Sequence, residues 1–232
     1  MAQPRVCRSL VSLRTTKILG SSAAAILLCA AVLTACGGDD EKKTPTAVDI
    51  AQLDTLVSAP PLGFTGRKIA LDGRDIDSAV AQPLPPGYQI NPSHCAPKPV
   101  TPAPGDSSAT VVLTSEATVV VATAVVLAVP AAEPSQGCEQ MTVSGPNGTA
   151  GIIARTESDA IDGVEKIWST HGVVSADDVT ADQYTYVAQI DDRHQIIILQ
   201  NPNPRSTGSA ERLDPSVGRQ VLEKAVQAVI TR

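Results

Sequence analysis

The stretch Ala109 to Val129 constrains this chain most. It is dense in Val and Thr, which are stiff at χ1 and favoured on a pleated surface, and Glu116 is its one charged residue. The run is broken at Thr114-Ser115-Glu116, which makes it two strands joined near Glu116 or one long bulged strand. A membrane span is the rival reading, but the uncharged part, Ala117 to Val129, is too short and too β-branched for it. Further strands are expected at Cys138 to Val143, Ala150 to Arg155 and Val164 to Thr170, with Ser144-Gly145-Pro146-Asn147-Gly148 as the first hairpin turn. Gln183 to Gln200 reads as another hairpin. Tyr184, Tyr186, Ala188 and Ile190 share a face, Asp191 to His194 turns the chain, and Ile196 to Leu199 is apolar enough to be a central strand.

A sheet needs a second layer, and the C-terminus supplies one. Asp214 can cap a helix, Pro215 suits its first position, and Val217, Val221, Ala225 and Val229 recur every four residues, flanked by Leu222, Val226 and Ile230. Val48, Leu53, Leu56 and Val57 predict a shorter helix within Ala47 to Val57. The expected fold class is therefore α+β: a twisted antiparallel sheet with a long C-terminal helix and a short N-terminal helix packed on one side. No internal repeat is visible. Eight prolines lie between Pro83 and Pro104, which excludes helix and central strand there, although Tyr88 to Ile90 reads as a short extended segment.

The first 17 residues carry Arg5, Arg8, Arg14 and Lys17 without a carboxylate, and an apolar run from Ile18 to Ala35 follows, in the order of a signal peptide. The run ends in Leu33-Thr34-Ala35-Cys36-Gly37-Gly38, small residues before a cysteine, which resembles the lipobox of bacterial lipoproteins. That resemblance implies diacylglycerol on the Cys36 thiol, cleavage before it and acylation (palmitate among the chains) of the new amino terminus. Two or three chains, at about 0.8 kcal/mol per buried methylene, anchor a protein durably where one does not. Residues 1–35 are the expected signal peptide and residues 36–46 a lipidated cysteine with a solvated tether. Residues 47–232 form a single extracytoplasmic domain. A plain secretory signal is the alternative. Loss of four of the 18 cations and none of the 24 acids takes the net charge from -6 to -10.

Cys95 and Cys138 then remain as an even pair in an oxidising compartment, which reads as one disulfide. It closes a loop of about 44 residues and stabilises the domain by roughly 3 to 4 kcal/mol in the chain-entropy account. A metal site is not expected: His94 adjoins Cys95, but His171 and His194 have no ligand-like spacing to it.

Only five residues are aromatic, and the balance is acidic, so nucleic acid is not an expected partner. No G-x-S-x-G, S-x-x-K, H-E-x-x-H, Walker A or G-x-G-x-x-G pattern is present. The acidic pairs Asp177-Asp178 and Asp191-Asp192 fall in turn-like contexts where carboxylates are usually solvated. The expectation is a protein that is not an enzyme and needs no cofactor. Trp168, Tyr184 and Tyr186 are the candidate pocket lining; the alternative is that Trp168 anchors the core and the tyrosines pack beneath the last helix.

With this lipobox, Leu84-Pro85-Pro86-Gly87-Tyr88, a cysteine shortly after it and the closing Leu213-Asp214-Pro215 helix, the chain resembles a mycobacterial envelope lipoprotein. Its mature part is similar to a family of uncharacterised exported domains and, more distantly, to the extracytoplasmic sensor domain of mycobacterial serine/threonine kinases. The resemblance implies a sheet with helices on one side and a cleft for a ligand. The kinase domains commonly carry two disulfides, whereas here only Cys95 and Cys138 are free to pair. The functional expectation is a lipid-anchored, non-enzymatic ligand-binding or sensor-like module on the outer face of the cell membrane. Its partners would be the membrane and a small or lipidic ligand. The alternatives are an accessory module docking on an envelope protein and, third, a hydrolase.

Overall fold

The computed structural model describes residues 47–69, 86–98, 100–132, 135–176, 179–205 and 212–231. The signal segment, Cys36 with its tether, the pair Asp177-Asp178, and Pro83, Pro85 and Pro99 of the proline-rich stretch lie outside the described residues.

In chain order the elements are β1 (Ala47–Val48), a 3-10 turn (Ile50–Asp54) running into α1 (Thr55–Ser58), β2 (Thr65–Ile69) and β3 (Gln89–Asn91). After a second 3-10 turn (Ser93–Cys95) come β4 (Ser108–Thr114), β5 (Thr118–Val126), β6 (Gln140–Ser144), β7 (Ala150–Thr156) and β8 (Lys166–Ala176). The chain closes with β9 (Val179–Gln189), β10 (His194–Pro202), α2 (Pro215–Val229) and β11 (Ile230–Thr231). Nine strands form one antiparallel sheet in the order β2-β4-β5-β10-β9-β8-β7-β6-β3, and β1 pairs with β11 apart from it. The α+β reading holds.

The Val/Thr-dense stretch forms two strands, β4 and β5, separated at the expected break, where the Ser115 backbone N–H donates to the Thr118 carbonyl at 2.9 Å. The expected hairpin of Gln183 to Gln200 forms, with β10 inside the sheet between β5 and β9. Asp191 shapes its turn: Oδ1 accepts from the Arg193 and His194 N–H groups, both at 2.8 Å. Three readings change. β8 starts later than Val164 and runs on to Ala176, because it pairs with the whole of β9. β2 was not expected: its Gly, Arg and Lys give no apolar alternation, as suits an edge strand whose outer side faces water. The proline-rich stretch contains one helical turn, Ser93–Cys95, although the extended segment expected near Ile90 forms as β3 and takes the edge of the sheet.

Both sheet faces are buried in the β4-β5-β10-β9 half. On the first face Val111, Leu113, Val120, Ala122, Ala124, Ile196, Ile198 and Ala188 meet Val221, Leu222, Ala225, Val226 and Val229 of α2, with Leu53 and Leu56 of the N-terminal turns completing the layer. Each fully buried large aliphatic side chain contributes about 1.5–3 kcal/mol. On the second face Val125, Leu127, Val187 and Ile197 are covered by Val100, Ala131 and Trp168. The proline-rich segment reaches them by running beside the end of β5, where the Ala103 N–H donates to the Val126 carbonyl (2.8 Å) and the Ala128 N–H to the Thr101 carbonyl (2.9 Å). A smaller second-face cluster, Ile90, Cys138, Met141 and Val143, lies under the Cys95–Cys138 disulfide, whose Cα atoms are 5.6 Å apart. That bridge fastens the edge strand β3 to β6.

Helix α2 begins as its sequence dictates: Asp214 accepts from the Ser216 N–H at 2.9 Å and Pro215 occupies the first turn. Gly218 lets it lie close on the sheet. A Cβ there would stand 2.4 Å from Tyr186 Cε2 and 2.6 Å from Gln200 Oε1. Gly218→Val is expected to cost about 1–3 kcal/mol through overpacking, lowering the melting temperature by several degrees. An unfolding midpoint equal to the parent's would show that the helix can shift without penalty.

Candidate functional site

The three aromatics expected to line one pocket do not come together. Cross-strand partners share a face. Tyr186 stands opposite Ser169 and Ile198 on the face that carries α2, and Tyr184 stands opposite His171 and Gln200 on the same face. Trp168 stands opposite Val187 and packs on the second face with Val125, Leu127 and Ile197. Trp168 thus packs, partly buried, against the second-face core, and the tyrosines lie at and beside the helix.

Tyr186 is a packing residue with a polar tip. It is buried, and its hydroxyl donates to the Pro215 carbonyl at 2.6 Å, at the first turn of α2. Beside it the fully buried Gln200 donates through Nε2 to the Asp214 carbonyl (2.8 Å) and accepts at Oε1 from the Gly218 N–H (3.1 Å). Ser169, also fully buried, bonds the Thr156 and Ser158 hydroxyls at 2.5 and 2.6 Å. Arg219 reaches from α2 to the Asp159 carbonyl at 2.8 Å. The loop between β7 and β8 is so tied to the helix.

Beside Tyr186 lies a polar arrangement missed by the sequence reading, built on Tyr184, which is buried in the core that α2 shares. The Tyr184 ring stacks on the His171 imidazole with centroids 4.2 Å apart and planes 6° from parallel, and on Tyr186 at 6.2 Å. His171 Nε2 bonds Asp182 Oδ1 at 2.7 Å. Spacing along the chain could not reveal this trio, since His171 and Tyr184 meet only through the β8–β9 register. The available signal was the shared face of Asp182, Tyr184 and Tyr186 at i, i+2 and i+4.

Beyond this trio the first face is open. Thr142, Ser144, Ala150, Ile152, Val173 and Ser175 are all exposed, with Ile152 at 48% and Val173 at 39%, while Met141 and Val143 on the other side of the same sheet are buried. An exposed aliphatic pair directly opposite one another on β7 and β8, flanked by hydroxyls and a His–Asp pair, is a surface that can bind. His94, Cys95 and Cys138 place three ligand-type atoms within 4.8 Å of one another. The two sulfurs are spent in the disulfide, so neither is a thiolate able to ligate.

Burial raises the pKa of both tyrosines. Tyr186 is pushed up to about 12 by burial first, then by the Tyr184 phenol and the Asp214 carboxylate, with Arg219 opposing. Tyr184 is raised by burial and then by the charge of Asp182, with Arg212 opposing and Asp214 adding to the rise. The unfolded phenol ionises near about 10. Stability held below that pH is therefore lost as pH rises toward the folded value, because the unfolded chain sheds its proton first. Urea midpoints across this alkaline window should fall more steeply in the parent than in Tyr186→Phe; identical slopes would contradict a buried, neutral Tyr186.

A solved structure similar in fold is the X-ray structure of an uncharacterised protein of Mycobacterium smegmatis, the ortholog of Rv0999. It is 24% identical, with a TM-score of 0.64, and the match covers 81% of this chain and 100% of the other. No curated protein matches the chain. The family described as a domain of unknown function (DUF5642) matches residues 49–230, from the cap of the first 3-10 turn to the end of α2, and the chain belongs to that family.

Proposed function

We propose that the chain is a lipoprotein of the cell envelope, held by acyl chains on Cys36 at the outer face of the cytoplasmic membrane, and that its domain is a non-enzymatic ligand-binding or sensor-like module. The observation that carries the binding role is the open half of the first face, where Ile152 and Val173 are exposed beside the His171–Tyr184–Asp182 trio. A sheet half with one buried face normally turns a polar face to water, so an aliphatic pair at its centre calls for an occupant. The anchor rests on the basic segment, apolar run and lipobox of the first 38 residues. Among the described residues no helix is long and apolar enough to cross a membrane.

An accessory module would dock on an envelope protein through its acidic surface and the proline-rich stretch. The described part of that segment is used inside the domain, through Val100, Thr101, Ala103 and the disulfide, which favours the ligand reading.

Two measurements test the proposal. The mature protein, solubilised from membranes and exposed to envelope extract, should retain a small or lipidic molecule in native mass spectrometry, and the adduct should weaken in Ile152→Ser/Val173→Ser. An adduct-free spectrum without a thermal shift would overturn the binding role. Cys36→Ala should accumulate as an uncleaved precursor without acyl mass; a mature-size, membrane-retained species would overturn lipidation.

A further inference from the structure

We propose that the open face holds a stacking slot over Ala154 for the planar, non-anionic aromatic ring of a small molecule. The inference rests on the ligand-binding reading above and names the chemistry of its ligand. Tyr184 on β9, His171 on β8, Ala154 on β7 and Gln140 on β6 are successive cross-strand partners along one row of the first face. Adjacent strands lie about 4.8 Å apart, close to the stacking distance of aromatic rings, so rings at paired positions build a ladder across a sheet. Tyr184 and His171 are two such rungs at 4.2 Å. The next position belongs to Ala154, which has no side chain beyond Cβ, and Gln140 beyond it is exposed.

The His171 side chain keeps 28% of its surface, and Tyr184 occupies one of its faces. Asp182 holds the imidazole by its Nε2 at 2.7 Å, so the ring is presented at fixed orientation without the ordering cost of a free side chain. A ring seated over Ala154 continues the ladder by one rung, with the exposed Ile152 and Val173 along its side and the Gln140 amide and Thr142 hydroxyl within the same surface. The Asp182 carboxylate and the negative mature charge disfavour an anionic ring, which leaves a neutral or cationic one.

The experiment uses the mature full chain solubilised from membranes, indole as the probe, and NMR of the Ala154 methyl and the His171 ring protons. Indole should move both sets of signals upfield in a saturable way, with a dissociation constant on the order of millimolar for so small a probe. His171→Ala should weaken binding by about tenfold. Ala154→Phe, which places the chain's own ring in the slot, should abolish the effect while keeping the parent's melting temperature; should it not fold, Ala154→Leu serves the same purpose. Absence of a saturable shift at either residue, or full binding by the slot-filling variant, overturns the proposal. An adduct from envelope extract that perturbs Ile152 and Val173 but leaves Ala154 and His171 unmoved also overturns it, while the broader binding role stands.

Discussion

The seating of the first turn of α2 on the sheet is the contact on which the rest depends. Three groups make it: Tyr186 donates to the Pro215 carbonyl, Gln200 bridges the Asp214 carbonyl and the Gly218 N–H, and Gly218 leaves room for both. Gln200 is fully buried, and its amide finds both partners at the helix start: it donates to the Asp214 carbonyl, which also accepts from the Val217 N–H at 3.2 Å, and it accepts from the Gly218 N–H. Apolar burial alone fixes which face of the helix meets the sheet but not where along the strands it sits. These directional bonds set that position, and with it the line at which the helix cover stops.

That line divides the first face into two chemistries. On one side lies a buried layer shared with α2 that includes Tyr186 and Tyr184; on the other lie His171 and Asp182, then an exposed field of hydroxyls with Ile152 and Val173 at its centre. The ring stack crosses the boundary, since Tyr186 belongs to the helix contact and His171 to the open surface, with Tyr184 between them. The second face of the open half carries the small cluster of Ile90, Cys138, Met141 and Val143 at the disulfide. An edge strand as short as β3 would have little hold on the sheet without that bridge.

Much of the fold was legible in the chain. The cap and first turn of α2 follow from Asp214-Pro215, the β4–β5 break from Thr114-Ser115-Glu116, and the β9–β10 turn from Asp191, because each is dictated by residues adjacent in sequence. The Cys95–Cys138 pairing followed from counting once the lipobox had claimed Cys36. β2 was not legible, because an edge strand with Lys and Arg carries no period-two apolar signal. Grouping Trp168 with the tyrosines failed for another reason. Which face a strand residue takes depends on the register with its neighbours, and Trp168 is paired with Val187, one residue out of phase with Tyr184 and Tyr186.

The sequence by itself determined the type of most elements, the start of α2, the α+β class and the candidate lipid anchor, since these are set by local periodicity, capping chemistry and the order of short segments. The tertiary structure alone decided which faces the strands present, where α2 stops, and that His171, Tyr184 and Asp182 meet. Those outcomes depend on strand order and register over long separations, where pairing two strands one residue differently would turn every side chain to the opposite face.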